Sequence, residues 1–107
     1  MEKAKVYFTR EITSDSLVKI YNSLGIELKG NVAVKLHSGE EGNQNYLKPE
    51  FAHDIITRVS GTVVECNTAY VGARNTTEKH EELMNNHGWS KYYKTDIMDS
   101  ERDIILD

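Results

Sequence analysis

Two stretches of this chain gather residue types that bind or transform small molecules. The first runs His37-Ser38-Gly39-Glu40-Glu41-Gly42-Asn43-Gln44-Asn45-Tyr46. Its imidazole and carboxylates are nitrogen and oxygen donors of the kind that hold a divalent metal. With His80 they make a candidate set, His37, Glu40 or Glu41, and His80, around one ion that would activate water. The spacing matches no defined zinc motif such as His-Glu-x-x-His, so a solvated acidic turn beside a strand-end histidine competes with the metal reading. The second stretch runs Asn67-Thr68-Ala69-Tyr70-Val71-Gly72-Ala73-Arg74-Asn75-Thr76-Thr77. Gly72, Arg74 and the Thr76 and Thr77 hydroxyls lead into a helix start, where open peptide N–H groups and an arginine fork can receive a carboxylate or phosphate. Asn67, Thr68, Tyr70 and, from a neighbouring strand, Lys35 complete this candidate ligand-binding set. Two plainer roles compete: Thr76 or Thr77 as an N-cap, and Arg74 as the partner of a loop carboxylate.

Other chemistry-bearing residues are weighed by their surroundings. Lys35 and Glu65 stand near the carboxyl ends of strands otherwise built from Val, Ala and Leu. A buried unpaired charge is costly, so each needs a partner or must face a cleft. His80 falls in a first helical turn, close to the loops, whereas His87 falls at the far end and suits a C-terminal cap. Cys66 reads as a small buried residue; as a nucleophile it would need a base, for which His37 is the candidate. No Gly-x-Gly-x-x-Gly or Gly-x-x-x-x-Gly-Lys run occurs, so dinucleotide and P-loop nucleotide binding have no support.

The elements that would position these groups follow from alternating periodicities. Residues 4–8, Ala-Lys-Val-Tyr-Phe, read as a first strand. Thr13 or Ser14 can cap a helix whose Leu17, Ile20, Tyr21 and Leu24 fall at i, i+3, i+4 and i+7, with Gly25 ending it. Residues 32–37 form a second strand, apolar enough at its start for burial on both faces. After a polar loop over 38–48, Pro49 opens a second helix carrying Ala52, Ile55, Ile56 and Val59, closed by Gly61. Residues 62–66 are a third strand and 67–76 a second long loop. A third helix from near Thr77 to Gly88 carries His80, Leu83, Met84 and His87, a fourth strand spans 92–98, and 104–106 offers a fragment of a fifth. Strand–helix–strand repetition of this kind predicts parallel pairing through right-handed crossovers. The expected fold is an α/β, Rossmann-like three-layer domain with a mostly parallel four-stranded sheet. In such a sheet, ligands sit beyond the carboxyl ends of the strands, and both long loops leave such ends. Each exceeds the two to six residues that an ordinary turn of this type needs.

Composition bounds the classes of function. The chain has 107 residues, enough for a single domain over 1–107, with a net charge of −4 and one cysteine. A mildly acidic chain without a Lys/Arg cluster argues against nucleic acid. No apolar run approaches the roughly 20 residues needed to cross a bilayer. A lone cysteine excludes an intrachain disulfide, and nothing in the chain supplies a cysteine cage for an iron–sulfur cluster. A cytoplasmic protein is expected, with a small anionic ligand as its first partner. A homodimer formed through an exposed sheet edge is a further expectation.

The strings Val32-Ala33-Val34-Lys35-Leu36-His37-Ser38-Gly39-Glu40, Glu65-Cys66-Asn67-Thr68-Ala69-Tyr70-Val71-Gly72-Ala73-Arg74 and Thr76-Thr77-Glu78-Lys79-His80, followed by His87-Gly88 and Asp96-Ile97-Met98-Asp99, carry a family resemblance. They resemble the opening region of the bacterial and archaeal domain of unknown function 362 family, over nearly the whole of residues 5–99. Members are often longer and many carry a ferredoxin-type cluster segment after this region. The resemblance therefore implies the amino-terminal piece of an iron–sulfur or redox-associated protein, partnered by the remainder of a longer chain or a redox partner. A 4Fe-4S cluster would belong to that further portion, with no cofactor held within this chain. The family has no agreed reaction, so the resemblance implies no catalytic residue.

Overall fold

The structure, a computed structural model, describes residues 1–99. Helix α1 (Ser14–Ser23) is started by a reciprocal cap: Thr13 accepts from the Ser16 peptide N–H, and the Ser16 hydroxyl accepts from the Thr13 N–H. Strand β1 (Val32–Lys35) follows. The chain then passes through the long loop to a 3-10 turn (Pro49–Ala52) that feeds α2 (His53–Val59). Pro49 stands at the turn's first position, where a missing N–H costs nothing. Strand β2 (Gly61–Glu65), α3 (Thr77–Asn86), the single turn α4 (Trp89–Tyr92) and β3 (Thr95–Ile97) complete the order.

The fold is mixed α/β around a small parallel sheet of three strands in the order β1-β2-β3. Val32 pairs with Gly61 and Lys35 with Val64; Val63 pairs with Thr95 and Glu65 with Ile97. Because the strand order follows the chain order, the crossovers through α2 and α3 lie on the same face. The core forms there from Ala52, Ile56, Val63, Met84, Trp89 and Ile97, with Val34, Leu36 and Tyr93 packed against it. Met84 and Trp89 are wholly buried, each removing enough apolar surface to stabilise the fold by about 2 kcal/mol or more. On the opposite face Ala33, Lys35, Lys94 and Asp96 are exposed. Helices α2 and α3 thus cover one face, and the expected three-layer arrangement is not seen among the described residues.

Several sequence expectations change. Residues 4–8 form no strand: Val6 is 89% and Phe8 82% exposed, and neither residue's segment is paired. Strand propensity in an isolated segment cannot stand without a ladder partner. Helix α1 packs against α2 and the 3-10 turn rather than on the sheet, burying Tyr21 and Ser16. The expected fourth strand begins three residues later, at Thr95, because Trp89–Tyr92 continue from α3 as a helical turn after Gly88 at φ +88°. Ser60, at φ +50°, is the left-handed residue that ends α2, in place of Gly61. Gly61 opens β2 instead, where a Cβ would stand 2.5 Å from Val34 Cγ2 across the ladder. The fragment at 104–106 lies outside the described residues.

Candidate functional site

Parallel pairing of β1 and β2 sends residues 36–48 and 66–76 off the same end of the sheet, and the two loops meet there. The meeting point is a buried carboxylate. Glu65, the last residue of β2, is 2% exposed. Its Oε1 accepts from Arg74 Nη1 at 3.0 Å. Its Oε2 accepts from His80 Nε2 at 2.8 Å, from the Ser38 peptide N–H at 3.2 Å and from the Ser38 hydroxyl. Burial pushes this carboxyl up. The Ser38 hydroxyl, the His80 ring and its charge, and the Ser38 N–H outweigh that push and hold it below the ordinary 4.5.

Arg74 is the latch between the loops. Only 5% exposed, it spans from Glu65 on the sheet to the first loop, where Nη2 donates to Glu40 Oε1 and to Tyr70 Oη at 3.0 Å. Tyr70 in turn donates to the same Glu40 oxygen at 2.7 Å. Burial alone would lower the guanidinium's affinity for its proton; the bonds to Glu40 and Tyr70 and the charges of Glu40 and Glu65 raise it overall. Glu40 is held below the ordinary carboxylate value by the Arg74 and Tyr70 hydrogen bonds. The loop backbone closes on itself through the Thr68 N–H to the Arg74 carbonyl at 2.8 Å and Thr68 Oγ1 to the Tyr70 carbonyl at 3.1 Å.

His80 is wholly buried on the other side of Glu65. Its Nδ1 faces Asn67 Oδ1 at 3.2 Å, while Asn67 Nδ2 donates to Thr77 Oγ1 at 3.0 Å. Ser38 is anchored on its remaining side as well. Its carbonyl accepts from the buried Trp89 indole N–H at 3.1 Å and lies 2.9 Å from His87 Nδ1. His87, the C-cap of α3 as its position suggested, stacks on Tyr46 with ring centroids 3.9 Å apart. Gly39 allows that packing: at φ +105° any Cβ would lie 2.5 Å from Tyr46 Cβ.

The expected ligand-binding set is therefore divided. Tyr70 and Arg74 join Glu40 and His37 in one cluster, and Asn67 and Thr77 join His80 in another, with Glu65 between them. Thr76 caps α3 by accepting from the Lys79 N–H at 3.4 Å, and Thr68 holds its own loop. Lys35 is removed from the set. It lies on the exposed face, its Nζ 3.3 Å from the Leu36 carbonyl, because alternation along β1 turns it away from the face that buries Glu65. Cys66 is exposed rather than buried.

The metal set His37, Glu40 and His80 does not converge. His37 Nε2 comes within 3.8 Å of Glu40 Oε1, but the Arg74 guanidinium lies against both. His37 Nδ1 accepts from the Gly39 N–H at 3.0 Å, and Arg74 Nη2 stands 3.1 Å from its Nε2, so both ring nitrogens are occupied within the protein. Both nitrogens of His80 are engaged inside the protein. Among the described residues no group of three or more His, Cys, Asp or Glu is disposed to hold a metal ion.

Beside this latch lies a cleft of about 370 Å³, walled by Glu41 of the first loop, Gly72 and Ala73 of the second, and Lys79, Glu82 and Asn86 of α3. The last three follow at i, i+3 and i+7, one helical face. That spacing was the signal by which the sequence could have yielded them. Among the described residues no helix is long and apolar enough to cross a membrane. Comparison of the chain with family models, with curated proteins and with solved structures finds no match.

Proposed function

We propose that this chain is a ligand-binding module whose recognition surface is the rim where residues 38–48 and 67–76 meet. The observation that carries the reading is Arg74, buried and bonded at once to Glu65 on the sheet and to Glu40 on the opposing loop. Such a latch fixes both loops before any ligand arrives, which removes much of the ordering cost of binding. The adjoining cleft falls within the 300–1,000 Å³ common for small-molecule sites, at the sheet edge where α/β folds receive ligands.

The charges of the cleft narrow the ligand. Arg74 spends its fork on Glu65 and Glu40, so the cation turned to the cleft is Lys79, with the Asn86 amide beside it. Glu41 and Glu82 supply acceptors. A small anion that also carries hydrogen-bond donors, an amino or hydroxy carboxylic acid, satisfies both halves. Titrating labelled protein with glutamate, citrate and inorganic phosphate tests this by amide chemical shifts. Glutamate or citrate should move the Gly72, Ala73 and Lys79 resonances, and Lys79→Ala should abolish the response. Absence of any shift at about 10 mM, well above the millimolar constant of a weak complex, would reject the reading.

A further inference from the structure

Among the described residues the β1 edge of the sheet is open, and the chain carries an unpaired segment suited to it. On β2, Val63 donates to the Lys94 carbonyl and Met98 to the Glu65 carbonyl, so Val63 and Glu65 direct their peptide groups toward β3. Alternation then turns Thr62 and Val64 toward β1, and with them Val32 and Val34 of β1. The outward N–H and C=O groups of β1 therefore belong to Ala33 and Lys35. No strand among the described residues takes them up. Lys35 is the only charge on β1, and Val32 and Val34, on the core face, are half-buried with no further strand among the described residues beside them.

Residues 4–8 are the complementary piece. Their composition is that of a strand, Val6 and Phe8 fall on one side of it, and both stand almost wholly in water at 89% and 82% exposure. Large apolar side chains left this open mark a surface that another surface covers.

We propose that residues 4–8 of one copy add as a fourth strand to the β1 edge of a second copy, reciprocally, so that Val6 and Phe8 extend the core past Val32 and Val34. Backbone bonds to Ala33 and Lys35 would supply the pairing, and the alternate apolar side chains the register.

The test is light scattering on the full chain from about 10 μM to about 1 mM, with amide hydrogen exchange under the same conditions. The expected mass is twice 12.2 kDa, with the Ala33 and Lys35 amides protected. A Val6→Asp/Phe8→Asp variant changes only exposed positions. It should keep the circular dichroism of the parent, run as a monomer and lose that protection. A full chain that stays monomeric throughout, or a variant that still dimerises, overturns the proposal. Protection of Ala33 and Lys35 in a monomer overturns it too, since the chain's own segment would then occupy the edge.

Discussion

Replacing Glu65 by Gln keeps the side chain's shape and removes its charge. Glu65 receives donors on both oxygens: Arg74 on Oε1, and His80 with both Ser38 donors on Oε2. Whichever oxygen becomes the amide NH2 group, at least one of the two cationic or ring donors then faces another donor. Breaking a buried ion pair by neutralising one member costs about 3–5 kcal/mol. Arg74 keeps Glu40 and Tyr70, so the expected loss is at the lower end, about 3 kcal/mol. At about 4–8 °C per kcal/mol for a domain of this size, the melting temperature should fall by about 12–24 °C. Glu40→Gln is the comparison. Its side chain is 42% exposed, so its bond to Arg74 is largely screened and its removal should cost less than about 1 kcal/mol. Urea unfolding followed by the fluorescence of Trp89, the single tryptophan and wholly buried, reads both variants. If Glu65→Gln loses no more stability than Glu40→Gln, Glu65 is not the centre of the rim.

Three further outcomes follow from the same geometry. Glu65 titrates below its unfolded value of 4.5, so its contribution is present above that pH and disappears as pH falls through the depressed folded value; the urea midpoint should drop on acidification, and Glu65→Gln should flatten that drop. Tyr93 is held above the ordinary 10.0 by burial first, then by Glu50 and Asp54. The folded state thus retains a proton that the unfolded state gives up, so alkaline stability should decline as pH rises past 10 and Tyr93→Phe should remove that decline, at the cost of its 2.8 Å bond to the Pro49 carbonyl. Gly39→Ala should destabilise by about 2–3 kcal/mol in thermal or urea unfolding. Gly42→Ala, with a positive φ but open space around it, should cost only about 1 kcal/mol.

The legible parts of the fold were those governed by local pattern. The apolar run at Val32 and Val34, the stripe of Ala52, Ile56 and Val59, and Pro49 at a helical start read directly as a crossover between parallel strands, and the two long loops do leave one rim. What eluded local reading depended on partners distant in sequence. Residues 4–8 have the composition of a strand but no strand neighbour among the described residues, and Tyr92 and Tyr93 read as the start of the fourth strand although Tyr92 ends the helical turn that follows Gly88 and Tyr93 caps it. Glu65 was readable as a charge in need of a partner, and Arg74 as a side chain fit to hold a carboxylate. That each answers the other across nine residues, with Ser38 closing the site from the loop after β1, follows only from three-dimensional proximity. Lys35 shows the converse. Its position on the same kind of strand suggested a place in the ligand-binding set, but a shift of one residue in the pleat puts it on the opposite face.

The group of Ser38, His80 and Glu65 contains the three side-chain types of a hydrolytic triad, and its geometry argues against that chemistry. A serine nucleophile needs the imidazole to take its proton, with the carboxylate bonded to the other ring nitrogen. Here the Ser38 hydroxyl donates to Glu65 and lies 3.5 Å from His80 Nε2, the same nitrogen that Glu65 engages at 2.8 Å. The carboxylate therefore takes both hydrogens, and the far nitrogen of His80 meets an amide. All three side chains are buried, with Ser38 and His80 at 0% exposure, so no substrate carbonyl can approach the oxygen. A fluorophosphonate, which labels activated serines, should leave Ser38 unmodified in the folded protein. Mass spectrometric detection of an adduct on Ser38 without loss of the fold would mean that the rim opens, and that the network is a catalytic group in waiting rather than a latch.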